Sequence, residues 1–439
     1  MISTKSNPIV KVREFGLLLN GGEKSDIDCH SIKKKAFEWL LMNGQSANEK
    51  SVELVRVKKY GKEIALQVVN YVGVIETPCG TRIEILPKIS EQHDSEVAKK
   101  ILLKMLSTVN KLSMQQFEES SLKTVKQPLF EVLIGYFLKE VADVVKRGIR
   151  SEYKRVEAKT PYLKGQLQTS KQLRERPGCQ NRFNVSYDQF SSDRSENRLI
   201  YSALKQVLKW TKSNENHRLG KELLFVFDEI PLSSNYSLDF RKWSVDRSLV
   251  HYRSVKPWCE LILSYQSPIA LSGSHKGISF LFPMETLFER YVAIKLQKAL
   301  PLHLKLKTQA SSQSLVSHTP ANAEKEQGWF KLKPDLVISE KKTNKVVCVA
   351  DTKWKRIYES QGTAKDKYGI SQADMYQMFA YGHRYLEGEG VLYLIYPKHS
   401  QFNNSLEPFK FNESLMVKAV AYDLDSDKCN NSLFNERRN

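Results

Sequence analysis

The spacing of apolar positions changes character along the chain. Within residues 1–90 the apolar runs are short and alternating. "SVELVRVKKYGKEIALQVVNYVGVIETPCGTRIEILPKI", interrupted by Gly61, Pro78 and Gly80, predicts strands and turns. The polar stretch "SEQHDSE" (90–96) marks a boundary, and from about residue 97 the period becomes helical. Ile101, Leu102, Met105, Leu106 and Val109 then share one face. A second long helix is predicted over 128–147, closing on "KRG". Basic residues there complement the negative helix end, and Gly lets the chain leave it.

Residues 150–280 read as a mixed but mostly helical middle. "KGQLQTSKQLRERPGCQNRF" (164–183) is dense in Lys and Arg, and either grips phosphates or forms a solvated face against a partner. "DRSENRLIYSALKQVLKW" (193–210) starts a helix, with Asp193 or Ser195 as the expected cap. From about 281 the order is helix, strand, polar insert, hairpin, helix, strand, strand. The insert "TQASSQSLVSHTPANAEKEQ" (308–327) is the most loop-like part of the chain. The resulting picture is a multidomain α/β protein. It has a β-rich N-terminal region (1–95), a mostly helical middle (96–280) and a mixed C-terminal domain (281–439).

Strand alternation gives "KLKPDLVISEKKTNKVVCVADTKWK" (331–355) a chemical meaning. Folded as a hairpin about Thr343, it sets Asp335 opposite Asp351, within about 5.5 Å between Cα atoms. Carboxylates so placed repel unless a cation lies between them, and oxygen ligands of this kind suit Mg²⁺. Lys353, two residues beyond Asp351, points to the same face. The metal would polarise a phosphate oxygen and lower the pKa of its bound water, while Lys353 orients that water or stabilises developing charge. The pattern alone is loose, and three solvated charges would produce it too. Downstream, "SQADMYQMFAYGHRY" (371–385) carries a packing stripe of Met375, Met378, Phe379 and Gly382. Gln377 and Tyr381 form an i, i+4 pair on an adjacent face, able to hydrogen-bond a phosphate or a metal ligand. Upstream, Glu285 and Glu289 have the same spacing on a predicted helix, and either could add a third oxygen ligand.

Charge narrows the partner. The 439 residues hold 68 Lys and Arg against 49 Asp and Glu, a formal charge of +19. That excess suits a polyanion, although a basic protein without such a partner would show it as well. The six cysteines stand apart with no CxxC pair, so neither a zinc site nor a disulfide framework is indicated. "MISTKSNPIVKVREF" lacks the apolar core of a secretory signal, and the most apolar stretch is broken by Glu131, Lys139, Glu140 and Asp143. A cytoplasmic protein without membrane partners is expected. "GLLLNGGEKS" (16–25) has P-loop glycine spacing but Gly22 where the lysine belongs, so any nucleotide site is expected in another polypeptide.

The ordered motifs "LFERYV", "KPDLVI", "VVCVADTKWK" and "QADMYQMFAY" resemble PD-(D/E)xK nucleases with a QxxxY helix. With "YVGVIETPCGTRIEILPKI" (71–89), "YLKGQLQTS" (162–170) and "YDQFSSDRSENRLIYSAL" (187–204), the chain is similar to the McrC family over most of residues 60–425. This is the nuclease subunit of McrBC-type modification-dependent restriction systems. The resemblance implies a restriction-endonuclease-like C-terminal domain, a mixed sheet flanked by helices, that hydrolyses DNA phosphodiesters with Mg²⁺. It implies Asp335 and Asp351 as metal-binding acids, Glu289 as the helical acid with Glu285 as runner-up, Lys353 as the catalytic lysine, and Gln377 and Tyr381 as the QxxxY pair. It also implies a McrB-like AAA+ NTPase partner using GTP or ATP, for which residues 1–95 offer a docking surface, and modified double-stranded DNA as substrate. Two rival functions remain at this stage: a catalytically idle DNA-binding adaptor that stimulates a partner NTPase, and a stand-alone repair nuclease.

Overall fold

The computed structural model describes residues 9–45, 53–88, 95–109, 127–176, 178, 181–243, 247–263, 279–321 and 325–429. It is a mixed α/β structure with several sheets, divided into two compact units. One unit joins Met1–Leu129 to Ser267–Asn439; the other is Phe130–Gln266.

In the first unit, Ile9–Arg13, Arg82–Leu86, Tyr71–Glu76 and Ser279–Pro283 form a four-stranded sheet in that order. The last strand arrives from more than two hundred residues downstream and pairs antiparallel with Tyr71–Glu76. Gly73 permits the pairing: it has a φ of +128°, and a Cβ there would lie 1.9 Å from the Phe280 carbonyl oxygen. Ser279–Pro283 runs directly into the helix Met284–Ala299, so the N-terminal sheet anchors the helix that carries Glu289. A second sheet, Cys29–Ile32, Leu17–Asn20, Glu63–Val68 and Val55–Tyr60, shares a core that includes Val12, Leu18, Leu66 and Ile83.

Strands alone do not account for this region. Lys34–Asn43 is a helix that buries Ala36, Phe37 and Leu40 in the same core. Its ten residues, with no side-chain cap at Lys33, give too brief a helical period to stand out among alternating runs.

A seven-stranded mixed sheet builds the other half of this unit. Leu304–Thr308, Leu336–Glu340 and Val346–Thr352 pair antiparallel. Val346–Thr352, Gly390–Pro397 and Leu415–Asp423 then run parallel. Parallel neighbours need a crossover, and the helix Gln372–Tyr385 lies in that connection. Ser371 and Asp374 start it with a capping box. Its buried side is Asp374, Met378, Tyr381, Gly382 and Tyr385, a helical repeat. The expected stripe is therefore corrected at Phe379, which is 47% exposed. Gly382 lets the helix approach the sheet, since a Cβ there would meet Leu415 at 2.7 Å. The insert 308–327 is also more ordered than expected, because Ser314–His318 pairs with Gln327–Lys331. Leu315, Val316, Trp329 and Phe330 are exposed on that ribbon, so no buried face announces it.

The second unit is less helical than its sequence suggests. Glu152–Thr160 and Phe183–Ser191 are nine-residue antiparallel strands, joined at the edge by Gln166–Leu167. "EYKRVEAKT" alternates between half-buried and exposed positions, yet charges occupy both sides and hide the strand period. Helices Ser195–Trp210, Asn214–Val226, Tyr236–Lys242 and Lys256–Leu263 complete the unit with the helix that begins at Leu129. At the first of these the expected cap is absent: Arg194 holds the cap position without a side-chain bond. Asp193 instead pairs with Arg198 and Lys154. Among the described residues no helix is long and apolar enough to cross a membrane.

Candidate active site

The hairpin Leu336–Glu340/Val346–Thr352 sets the geometry. Leu336 pairs with Ala350, Val337 with Val349 and Ile338 with Cys348, after which an irregularity shifts the register between Ile338 and Ser339. One step beyond the first pair, the same register brings Asp335 opposite Asp351. Asp335 Oδ2 accepts hydrogen bonds from Thr352 N at 2.8 Å and Thr352 Oγ1 at 2.7 Å. Asp351 is buried, and its Oδ2 lies 2.5 Å from Lys353 Nζ. The ammonium is thus the partner of this buried oxygen.

Lys353 reaches across to the crossover helix. Its Nζ donates to Gln377 Oε1 at 3.0 Å and stands 3.8 Å from Asp374 Oδ1. Gln377 in turn donates from Nε2 to the Tyr381 hydroxyl at 2.7 Å. Tyr381 is buried and acts through Gln377, turning the amide oxygen toward Lys353. From the other side, Gln309 Nε2 donates to Glu289 Oε1 at 2.6 Å and lies 3.5 Å from Asp335 Oδ1. Glu285, Glu289, Asp335, Asp351, Lys353 and Gln377 thus share the wall of one cavity of about 400 Å³.

The electrostatics follow from this crowding. Burial, then the charge of Asp335, pushes Asp351 up to about 6 against the pull of Lys353. Burial and Asp335 also raise Glu289, opposed by the Gln309 hydrogen bond. Burial works against the Lys353 ammonium, but Asp351, Asp374 and Asp335 outweigh it and hold its pKa above the usual lysine range. Asp374 is held low despite burial, chiefly by hydrogen bonds from Lys355 and Ser371.

Among the described residues, no three or more His, Cys, Asp or Glu side chains form a group already arranged to hold a metal ion. Asp335 faces Thr352, Glu289 faces Gln309, and Asp351 faces Lys353. The chemistry of the donors nevertheless fits a hard cation. All are oxygens, and Mg²⁺ commonly takes only one or two carboxylates while retaining water. Glu285 lines the cavity with Glu289, but Glu289 is the acid linked to Asp335 through Gln309.

Sequence reasoning missed Thr352, Gln309 and Asp374. Asp374 had a readable signal, the capping box "SQAD" ahead of Gln377. Thr352 sits inside the "DTK" motif as an unremarkable strand residue. Gln309 has no sequence signal: it reaches Glu289 and Asp335 from the polar insert with a φ of +49°, its backbone N–H donating to the Asp335 carbonyl.

The chain resembles known proteins in ways that can be set beside this geometry. A chain from the refined half-complex of a tetradecameric assembly of Thermococcus gammatolerans McrB AAA+ hexamers with bound McrC matches at 20% identity. The match covers 95% of each chain with a TM-score of 0.67. A chain of the cryo-EM structure of the Thermococcus gammatolerans McrBC complex matches at 22% identity, covering 66% of this chain and 87% of that one, with a TM-score of 0.50. At such identities the likeness establishes the fold. No curated protein matches the chain. The family model described as "McrBC 5-methylcytosine restriction system component" matches residues 66–397, more than half of the chain, and spans every residue of the cavity wall. The chain therefore belongs to the McrBC 5-methylcytosine restriction system component family.

Proposed function

We propose that the chain is the endonuclease subunit of a McrBC-like restriction complex, cutting DNA phosphodiester bonds when a McrB-like AAA+ NTPase engages modified DNA. In this reading residues 281–439 are a PD-(D/E)xK domain. The observation that carries it is the opposition of Asp335 and Asp351 with the Lys353 ammonium against Asp351 and Gln377. A catalytically idle DNA-binding adaptor could use a lysine on phosphate, but it has no need to keep Asp335, Asp351 and Lys353 together at one spot. Family membership and the McrB-containing assemblies in which the matching folds occur support the partner.

Asp335, Asp351 and Glu289 would hold Mg²⁺, which when bound supplies a Lewis acid at the phosphate oxygen and a more acidic water. The protein's own residues do the rest. Thr352 fixes the Asp335 carboxylate through two donors, leaving its other oxygen toward the cavity. Lys353 places positive charge where the phosphate gains negative charge in the transition state, and Gln377, set by Tyr381, holds that ammonium in place. Asp351 must be ionised to hold the cation, and the cation in turn would favour the ionised form.

The test is cleavage of methylated plasmid by the full chain with its partner NTPase, nucleotide and Mg²⁺. Asp335→Asn should abolish cutting while leaving stimulation of the NTPase. Retained cutting would reject the assignment and favour the adaptor.

A further inference from the structure

A second cavity, of about 370 Å³, lies in the same compact unit and is lined by Arg13, Glu14, Phe15, Lys88, Arg356 and Tyr358. Three of these are cations. Arg13 is gripped by Asp28, also on the wall. Lys88 donates to the Trp354 carbonyl at 3.0 Å and sits 4.3 Å over the Phe15 ring. Arg356 differs: its Nε and Nη2 are buried without any hydrogen-bond partner. Those two nitrogens form the edge of the guanidinium that grips an oxyanion bidentately. Arg356 itself is half-buried, but two guanidinium nitrogens withdrawn from water without a partner carry a cost that an oxyanion would relieve. Phe15 meanwhile holds a φ of +67°, a strained conformation for a bulky residue, at the rim of the same cavity.

Two acids stand against an anion here, Asp28 and Glu14. Asp28 is already neutralised by Arg13. Glu14 accepts the Trp354 indole N–H at 2.7 Å, its Oε1 has no hydrogen-bond partner, and burial pushes its pKa up to about 7. It therefore carries a proton for a good part of the time at neutral pH.

The cavity is coupled to the candidate active site through Trp354. That residue lines the first cavity, while its indole and its carbonyl hold Glu14 and Lys88 in the second. Arg356 follows Lys353 by three residues, at most ~10 Å along the chain. The two residues therefore lie within the rise of about three nucleotides of one strand at ~3.4 Å each. We propose that Arg356, with Lys88, takes a backbone phosphate of the DNA strand a few nucleotides from the bond at Asp351, fixing the strand's register. The proposal rests on the nuclease reading for the identity of the strand, and Arg356 is a positioning residue rather than a catalytic one.

The test is a fluorescence-anisotropy titration of labelled duplex DNA with the full-length chain in EDTA, repeated across a salt series. Arg356→Ala should weaken binding on the order of tenfold, and the slope of log affinity against log salt should fall by about one. Arg356→Lys keeps the charge but lacks the fork, so it should restore the slope without the full affinity. If Arg356→Ala does not fold, Arg356→Lys still decides, through a loss of affinity at unchanged slope. Wild-type affinity and slope in a folded Arg356→Ala or Arg356→Lys overturn the proposal. So does weaker binding of a fluorescent GTP analogue with DNA binding unaltered, which would make the pocket a nucleotide phosphate site. Because this readout needs no cleavage, its failure leaves the nuclease reading standing, and plasmid cutting by an Asp335→Asn complex would remove that reading without deciding the pocket.

Discussion

Gln309 places its side-chain amide against Glu289 at 2.6 Å, with the same nitrogen 3.5 Å from Asp335. A neutral donor thus stands where two acids converge, in the space a cation between them would need. Gln309→Ala should lower metal-free stability by about 1 kcal/mol, the ordinary worth of such a hydrogen bond. Saturating Mg²⁺ should shrink that deficit, because the cation takes over the screening. Thermal melts of both proteins with and without Mg²⁺ check this; an equal deficit in both conditions would show that Gln309 and the cation do not compete.

Asp351 links the site to pH. Its folded pKa of about 6 lies above the ordinary aspartate value of 3.8, so the folded state holds that proton more tightly than the unfolded chain. The stabilisation is present below the unfolded value and is lost as pH rises through about 6. A shift of this size corresponds to roughly 3 kcal/mol at most. Metal-free Asp351→Asn should therefore melt higher than wild type at pH 7, the two converging toward pH 4, while it cuts no DNA. Glu14 and Glu289 are raised in the same direction, so the variant should flatten the pH slope without removing it. A variant less stable than wild type at pH 7 would contradict this account.

Tyr381 and Gln377 separate positioning from packing. Tyr381→Phe keeps the buried ring and removes only the hydroxyl that accepts from Gln377. Freed to turn, the Gln377 amide holds Lys353 less well, and cleavage by the assembled complex should slow roughly tenfold, equivalent to about 1.4 kcal/mol. KM should change little and the melting temperature by a few degrees at most. A large stability loss with unchanged turnover would assign Tyr381 to the core alone.

What the sequence made legible depended on period and symmetry. Counting outward from Thr343 sets Asp335 against Asp351, and the hairpin's pairs from Leu336 to Ile338 run in that register. The irregularity after Ile338 falls at the turn end, where it leaves the acids' alignment untouched. The crossover helix was legible because Met378 and Tyr385 recur on one side, whereas Phe379 only resembles a core residue by type. Strands without a clean apolar face escaped notice: Glu152–Thr160 carries charges on both its half-buried and its exposed side, and the Ser314–His318/Gln327–Lys331 ribbon buries little. Nothing local announces that Ser279–Pro283 returns to the N-terminal sheet, since the pairing depends on a missing Cβ at Gly73. Gln309 was invisible for a similar reason: its role depends on where the insert bends.

The central claim is that the facing acids perform chemistry. Methylated plasmid should be incubated with the full chain, its partner NTPase, nucleotide and Mg²⁺, comparing wild type with Asp351→Ala. The account predicts complete loss of cutting in the variant, with partner binding and NTPase stimulation kept. Equal cutting by the Asp351→Ala complex would contradict it and leave the chain as an adaptor.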